Sequence, residues 1–133
     1  MPGLLPNEGE NLVANLLFKG SSVDRGTSMQ MGLFTNATIS ETTTAALLTE
    51  PTGGTYARKS LLDASWVVTA DTASYAAQTF TATGSAFVGS IYGYFIITTG
   101  TTPRIITVEL FPLGPYTFST GDGTTITPNV TLA

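Results

Sequence analysis

"SIYGYFIITTGTTPRIITVELF", residues 90–111, is the stretch that decides the fold class of this chain. Its first part, Ser90–Thr99, carries apolar or aromatic side chains on both faces of an extended strand. A strand of this kind is typical of the centre of a β-protein, because both of its faces must be buried. After a turn rich in glycine, threonine and proline, Arg104–Phe111 predicts a second strand. Strand alternation would put three of its side chains on one face: Ile106, Val108 and Leu110.

Other short runs rich in β-branched and aromatic residues predict further strands, separated by glycine- and proline-containing turns. The threonine-rich segment 40–52 predicts a long loop with a helical turn at Ala45–Leu48. Many short strands at this spacing predict an all-β fold, an antiparallel β-sandwich of jelly-roll-like type. The predicted strands are Met29–Thr35, Thr55–Leu61, Ser65–Ala70, Ala77–Ala82, Ser90–Thr99, Arg104–Phe111, Tyr116–Ser119 and Thr124–Leu132.

One short amphipathic helix is predicted at Asn7–Lys19, before the first strand. Asn7 is a suitable N-cap, and Glu10 follows at capping-box spacing. Lys19 suits the negative end of the helix dipole, and Gly20 is a natural stop. The apolar face recurs at helical intervals, with Leu12, Val13, Leu16 and Leu17.

The charge balance excludes several classes of protein. Of 133 residues only 5 are Lys or Arg, the net charge is −4 and charged residues make up 11%. Nucleic-acid binding is not expected, because it depends on many cations that neutralise phosphates. Cysteine and histidine are absent, so we expect no disulfide, no soft-metal site and no cofactor. We expect neither a signal peptide nor a transmembrane segment.

The densest positive run is "GGTYARKSL", residues 53–61. A phosphate-binding loop would need glycine directly before the lysine and a helix after it, but Arg58 precedes Lys59 and another strand-like run follows. Read as a strand, the segment points these two side chains to opposite faces, so they form no joint basic patch. We therefore predict a surface strand, with one charge paired locally.

Three further motifs have a functional and a structural interpretation. "ADTAS", residues 70–74, imitates the D-T/S-G motif of aspartic proteases, with Phe87–Gly89 as its apolar support. However, Ala73 replaces the glycine, so we favour a turn at Asp71. "GDG", residues 121–123, has one carboxylate, too few for calcium, and predicts a hairpin turn. Tyr92 and Tyr94 are candidates for a sugar-binding face, but packing in a central strand is the favoured role. No catalytic or metal-binding residue is assigned.

Three segments in order resemble a family of small virion proteins of tailed bacteriophages, labelled head-decoration or tail-fibre-like proteins. They are "NEGENLVANLLFKG" at 7–20, "MQMGLFTNA" at 29–37, and "LTEPTGGTYARKSL" at 48–61, which is followed by Trp66. The C-terminal half is similar too. The resemblance implies a structural protein of the virion rather than an enzyme. It also implies that the G-G-x-Y-A-R segment is a scaffold feature, in which Tyr56 anchors the strand and Arg58 pairs with a carboxylate such as Glu50.

From the resemblance and the low charge we expect a trimeric capsid decoration (cement) protein. It would be made in the host cytoplasm and bound to the major capsid protein or other virion proteins on the capsid surface. A tail, neck or glycan-binding fibre protein is the main alternative, and a dimeric aspartic hydrolase is a third. We expect residues 1–6 to form an arm and 7–133 a single domain. Leu4 and Leu5 of the arm would bury on a neighbouring subunit.

Overall fold

The computed structural model describes residues 4–20 and 24–132, which contain one α-helix and eleven β-strands. Residues 1–3 of the predicted arm, and the side chains of Leu17 and Lys19, lie outside this description. Two short 3-10 turns, Ala45–Leu47 and Asp63–Ser65, interrupt the loops, the first of them where a helical turn was predicted. The elements are α1 (Asn7–Lys19), β1 (Met29–Phe34), β2 (Thr52–Gly53), β3 (Lys59–Leu61), β4 (Val67–Thr69), β5 (Thr72–Ser74), β6 (Gln78–Thr81), β7 (Phe87–Val88), β8 (Gly93–Thr98), β9 (Ile105–Leu110), β10 (Gly123–Ile126) and β11 (Asn129–Thr131).

The largest sheet contains the two strands of residues 90–111. Its four antiparallel strands run in the order β3-β1-β8-β9. All six residues of β8 are buried, which confirms that this strand is central. Phe95 packs into an apolar cluster on one side of the sheet, and Ile96 packs into a larger cluster on the other. Both faces of β8 are therefore covered, as its two-sided apolar pattern requires.

A β-bulge in β9 changes which of its side chains share a face. Ile96 pairs with Thr107, but Ile97 pairs with Ile105, so Ile106 is an extra residue on the β9 side. Such an insertion shifts the alternation of side chains. As a result Ile106 and Val108 lie in different apolar clusters, so the prediction that Ile106, Val108 and Leu110 share one face is wrong. Leu110, at the end of the strand and beyond the bulge, is 40% exposed.

Smaller antiparallel sheets and the helix cover one face of the large sheet. β10 pairs with β6, β5 lies between β11 and β4, and β2 pairs with β7. Their inward side chains join the larger cluster, together with residues of α1, β1 and β8. The fold is thus all-β and sandwich-like with one short helix, as the sequence predicted. The cluster members from the covering layer are Leu12, Phe80, Phe87, Phe118, Ile126 and Val130.

Several strand boundaries differ from the prediction. Residues 55–58 precede β3 rather than belonging to it, because Thr55 adopts a positive φ of 57° after two glycines. The described residues 116–119 form no strand, and Tyr116 makes only an isolated bridge to Ile91. The predicted strand 124–132 is broken before Pro128, which has no N–H to donate to a ladder. The short strands β2, β5 and β7 were not predicted.

The helix has the predicted bounds, but its first turn is held differently. The Pro6 carbonyl accepts hydrogen bonds from the N–H groups of Gly9 (2.8 Å) and Glu10 (3.1 Å). The backbone N–H of Asn7, in turn, donates to the Glu41 carbonyl at 2.9 Å. Helix geometry thus begins at Asn7 itself, one residue earlier than an Asn7 N-cap would require.

Candidate functional site

The predicted scaffold residues Tyr56 and Arg58 meet on the carboxylate of Glu50. The Tyr56 hydroxyl donates to Glu50 Oε1 at 2.7 Å. Arg58 donates from Nη2 to Oε2 at 2.7 Å, and from Nε to both oxygens at 3.1 Å. This fork-like geometry is the strong form of an arginine–carboxylate pair. The expected partnership of Arg58 with Glu50 is therefore present.

Tyr56 also fixes the neighbouring strand. Its hydroxyl accepts a hydrogen bond of 2.9 Å from the backbone N–H of Leu33 in β1. A Cβ atom at Gly32 would lie 2.8 Å from this hydroxyl, so only glycine leaves room for the contact. Burial raises the pKa of Tyr56 well above its ordinary value, and the hydrogen bond to Glu50 raises it further. The hydroxyl is accordingly a permanent donor at neutral pH.

Arg58 and Lys59 point to opposite sides of the large sheet, as predicted. The Arg58 guanidinium carbon lies 5.3 Å from the ring centroid of Phe95. The Lys59 ammonium lies 5.5 Å from the ring of Phe80, in the opposite cluster. Each cation sits over an aromatic face at a distance suited to a cation–π contact. The two cations therefore lie on opposite sides of the sheet and present no joint surface for phosphate, and the Lys59–Phe80 contact joins the large sheet to β6.

The glycines ahead of this segment form the turn that the sequence predicted. Gly53 and Gly54 have φ values of 74° and 56°, which favour glycine. A Cβ at Gly54 would also lie 2.6 Å from the ring of Phe87. Together these geometries support the interpretation of residues 53–58 as a scaffold segment.

The arm residues Leu4 and Leu5 lie on the chain's own domain. Leu4 exchanges two backbone hydrogen bonds with Val108, of 2.9 and 3.0 Å, and so extends the large sheet beyond β9. Its side chain packs against one apolar cluster and that of Leu5 against the other. Pro6, which follows, is buried. Docking of Leu4 and Leu5 on a neighbouring subunit does not fit this arrangement, because β9 already binds this part of the chain.

The other two loop motifs lie in turns. Asp71 is exposed in the two-residue turn between β4 and β5, and its carboxylate accepts a hydrogen bond from the Thr72 hydroxyl at 3.1 Å. Asp122 accepts a hydrogen bond of 2.9 Å from the backbone N–H of Ser119. The turn at Asp122 leads into β10, which pairs with β6, so it does not join the two strands of a hairpin.

Within residues 4–20 and 24–132, no three acidic side chains are grouped closely enough to hold a metal ion. Neither is any helix there long and apolar enough to cross a bilayer.

A large apolar surface that sequence analysis did not identify surrounds the edge strand β4. Val67 and Val68 are 61% and 70% exposed, and Leu62 just before them is 58% exposed. Among the strands that the structure describes, β4 has a neighbour only on its β5 side. An apolar groove of about 370 Å³ separates this sheet from α1 and is lined by Leu12, Leu16, Trp66, Val68, Val130 and Leu132. Because Val67 and Val68 alternate along the strand, both faces of this edge strand expose an apolar side chain. We call the exposed residues Leu62, Val67 and Val68, on both faces of the edge, the β4 surface.

Comparison of the chain with protein-family models, with curated proteins and with solved structures found no match.

Proposed function

We propose that this chain is a structural subunit of a tailed-phage particle, a decoration protein that binds the major capsid protein on the outside of the head shell. In this proposal it assembles as a trimer, is made in the host cytoplasm and carries no catalytic residue. The motifs at 7–20, 29–37 and 48–61 support the family assignment, and the residues of the third motif are seen in a scaffold role.

The observation that carries the proposal is the β4 surface. Monomeric proteins usually protect a sheet edge with a very short strand, charge, proline or a bulge, because an open edge pairs with other chains. β4 is short, but its sequence Val-Val-Thr contains neither charge nor proline, and each of its residues is exposed. An assembly that covers this edge removes exposed apolar side chains from water. This matters for a chain in which only 11% of residues are charged, because few charges are present to keep a separate subunit in solution.

The test is sedimentation of purified protein with expanded, undecorated capsids of the phage that encodes it. We expect bound copies to saturate in the hundreds, at sites where several shell subunits meet. Val67→Lys places a charge on the β4 surface and should abolish binding. Leu47→Lys is the matched control, because Leu47 is 60% exposed against 61% for Val67 and lies in the 3-10 turn away from β4.

Circular dichroism of both variants checks that each remains folded. Equal binding by Val67→Lys and the parent chain would remove the β4 surface from the proposal. A handful of copies confined to the tail or portal vertex would favour the tail or neck alternative.

A further inference from the structure

An open cleft of about 760 Å³ lies where the end of β9 meets β10 and the segment 111–118. Its aromatic side is formed by Tyr94, Phe111, Tyr116 and Phe118. Phe111 and Tyr116 have ring centroids 5.6 Å apart, and Tyr116 stacks on Phe118 at 6.4 Å with an interplanar angle of 13°. Tyr116 is 37% exposed, whereas Phe118 is 7% exposed. The Tyr116 ring is therefore the exposed end of a stack whose inner ring is buried.

A carboxylate lies next to these rings. Glu109 Oε2 accepts a hydrogen bond of 2.9 Å from the hydroxyl of Tyr94. Tyr94 is buried, and burial together with Glu109 raises its pKa above the ordinary value, so this hydroxyl stays a donor. Within the described residues Glu109 has no ion-pair partner, and Oε1 has no hydrogen-bond partner. The carboxylate is thus oriented by one oxygen and has the other available as an acceptor.

The opposite side of the cleft carries hydroxyl and amide groups. Thr124, Thr127 and Asn129 line it, and none of their side chains has a hydrogen-bond partner within the described part of the chain. The neighbouring Thr125 differs, because its hydroxyl already pairs with that of Thr79 at 2.8 Å. The cleft therefore combines one aromatic face with several unused neutral donors and acceptors.

We propose that this cleft binds a neutral saccharide. A sugar ring stacks on Tyr116, one sugar hydroxyl donates to Glu109, and a second hydroxyl is bound by Asn129 on the polar side of the cleft. A pyranose has an apolar C–H face that covers an aromatic ring and a rim of hydroxyls that satisfies carboxylate, amide and threonine groups. No described lining residue is basic, so an anionic sugar would place its charge beside the unpaired Glu109.

A proline-rich peptide is the other ligand that aromatic grooves accept. It fits less well, because proline rings offer no hydroxyls to the polar side of the cleft. The inference goes beyond the proposed place in the head shell and does not depend on it, since a head or tail protein can present this cleft outward.

The experiment is NMR titration of the isotope-labelled full chain with neutral oligosaccharides of glucose, galactose, mannose and N-acetylglucosamine. Sialyllactose serves as the anionic comparison and an arginine-containing polyproline peptide as the peptide comparison. We expect at least one neutral sugar to shift resonances of Tyr116 and β10. Tyr116→Ala and Glu109→Gln should each weaken its Kd by at least about tenfold, as loss of a hydrogen bond to a charged group or of an aromatic contact predicts.

Glu41→Gln is the control variant, because it neutralises an exposed carboxylate outside the cleft and should have no effect. Amide spectra of Tyr116→Ala and Glu109→Gln that match the parent chain outside the cleft would show that both variants remain folded. The proposal is overturned if no neutral sugar binds, if sialyllactose or the peptide binds in preference, or if cleft and control variants lose affinity equally.

Discussion

The backbone N–H of Ile105, the first residue of β9, donates a hydrogen bond of 2.7 Å to Oε1 of Glu8, which lies 97 positions earlier in the chain. The same oxygen accepts a second hydrogen bond of 2.9 Å from the N–H of Ala45. One helix side chain thus connects the start of β9 and the 3-10 turn that covers the smaller apolar cluster. Each of these backbone groups would lose its partner if the carboxylate were removed.

Glu8→Ala should lower the free energy of unfolding by about 2 kcal/mol, because hydrogen bonds to a charged group are worth more than neutral ones. Urea denaturation measures this. Glu10→Ala is the control, because Glu10 lies in the same first turn and interacts similarly with the helix dipole, but is exposed. Equal losses in the two variants would show that the contacts to Ile105 and Ala45 contribute nothing.

In the Tyr56–Glu50–Arg58 cluster, the tyrosine hydroxyl should matter more than the salt bridge. Tyr56→Phe leaves the N–H of Leu33 without its acceptor and should cost about 1–3 kcal/mol. Arg58→Met should cost about 1 kcal/mol, because the fork-like geometry favours the pair but its partial exposure to solvent screens it. Thermal or urea unfolding of both variants decides the order.

The control for Tyr56→Phe is Tyr92→Phe. Tyr92 is half-buried, and its hydroxyl has no hydrogen-bond partner within the described residues. This variant should unfold like the parent chain. A larger loss from Arg58→Met than from Tyr56→Phe would contradict our account of the cluster.

Stability should fall in alkaline solution because of Tyr56 and Tyr94. Both pKa values are raised in the folded protein, chiefly by burial and also by hydrogen bonds to Glu50 and Glu109. Above about pH 10, unfolded tyrosine loses its proton while these two retain theirs, so the unfolded state binds fewer protons. The free energy of unfolding should then decrease by about 1.4 kcal/mol per pH unit for each residue.

Urea denaturation between pH 8 and 12 measures that slope. In Tyr94→Phe the slope should become shallower by the share of one tyrosine, and Tyr56→Phe should have the same effect. An identical slope in Tyr94→Phe and the parent chain would argue against the raised pKa of Tyr94.

Two buried threonines in adjacent strands should respond oppositely to the same substitution. Thr98 and Thr107 are each 1% exposed. The Thr98 hydroxyl donates to the Asp24 carbonyl and accepts from the Arg104 N–H at 2.9 Å. The Thr107 hydroxyl is buried without a hydrogen-bond partner among the described residues, next to the bulge residue Ile106.

Thr107→Val should therefore raise the free energy of unfolding by about 1 kcal/mol, because it removes a hydroxyl that was desolvated without compensation. Thr98→Val should lower it by about 1–3 kcal/mol, since two backbone groups lose their partner. Each variant is the control for the other, and a shift of both in the same direction would refute the assignment.

The strongest periodic elements of the fold could be predicted from the sequence, because burial alone decides them. The α1 helix and the strands β1 and β8 follow from their apolar spacing. The bulge at Ile106 could not be predicted, because it depends on how β9 pairs with β8. The strands β2 and β7 could not be predicted either, because two residues are too few to show a periodic pattern.

The prediction succeeded for local contacts of the candidate site and failed for distant ones. Glu50 lies only eight residues before Arg58, within the same motif, so the family resemblance could imply their pairing. The hydrogen bond between Glu8 and Ile105 depends on tertiary packing, which no local sequence pattern predicts. Tyr92 and Tyr94, the candidates for one sugar-binding face, pack on opposite sides of the sheet. Only Tyr94 reaches the cleft, where residues 111–118 complete it.

The pairing order of the large sheet determines when a growing chain can fold. β1 is complete once residue 34 has been synthesised, but its longest partner, β8, begins at residue 93 and must pair with β9 in turn. Until then the ribosome carries an apolar strand without its cover, a state prone to aggregation. We therefore expect nascent chains arrested before residue 93 to be cleaved rapidly by protease, and protection to appear only after β9 has emerged.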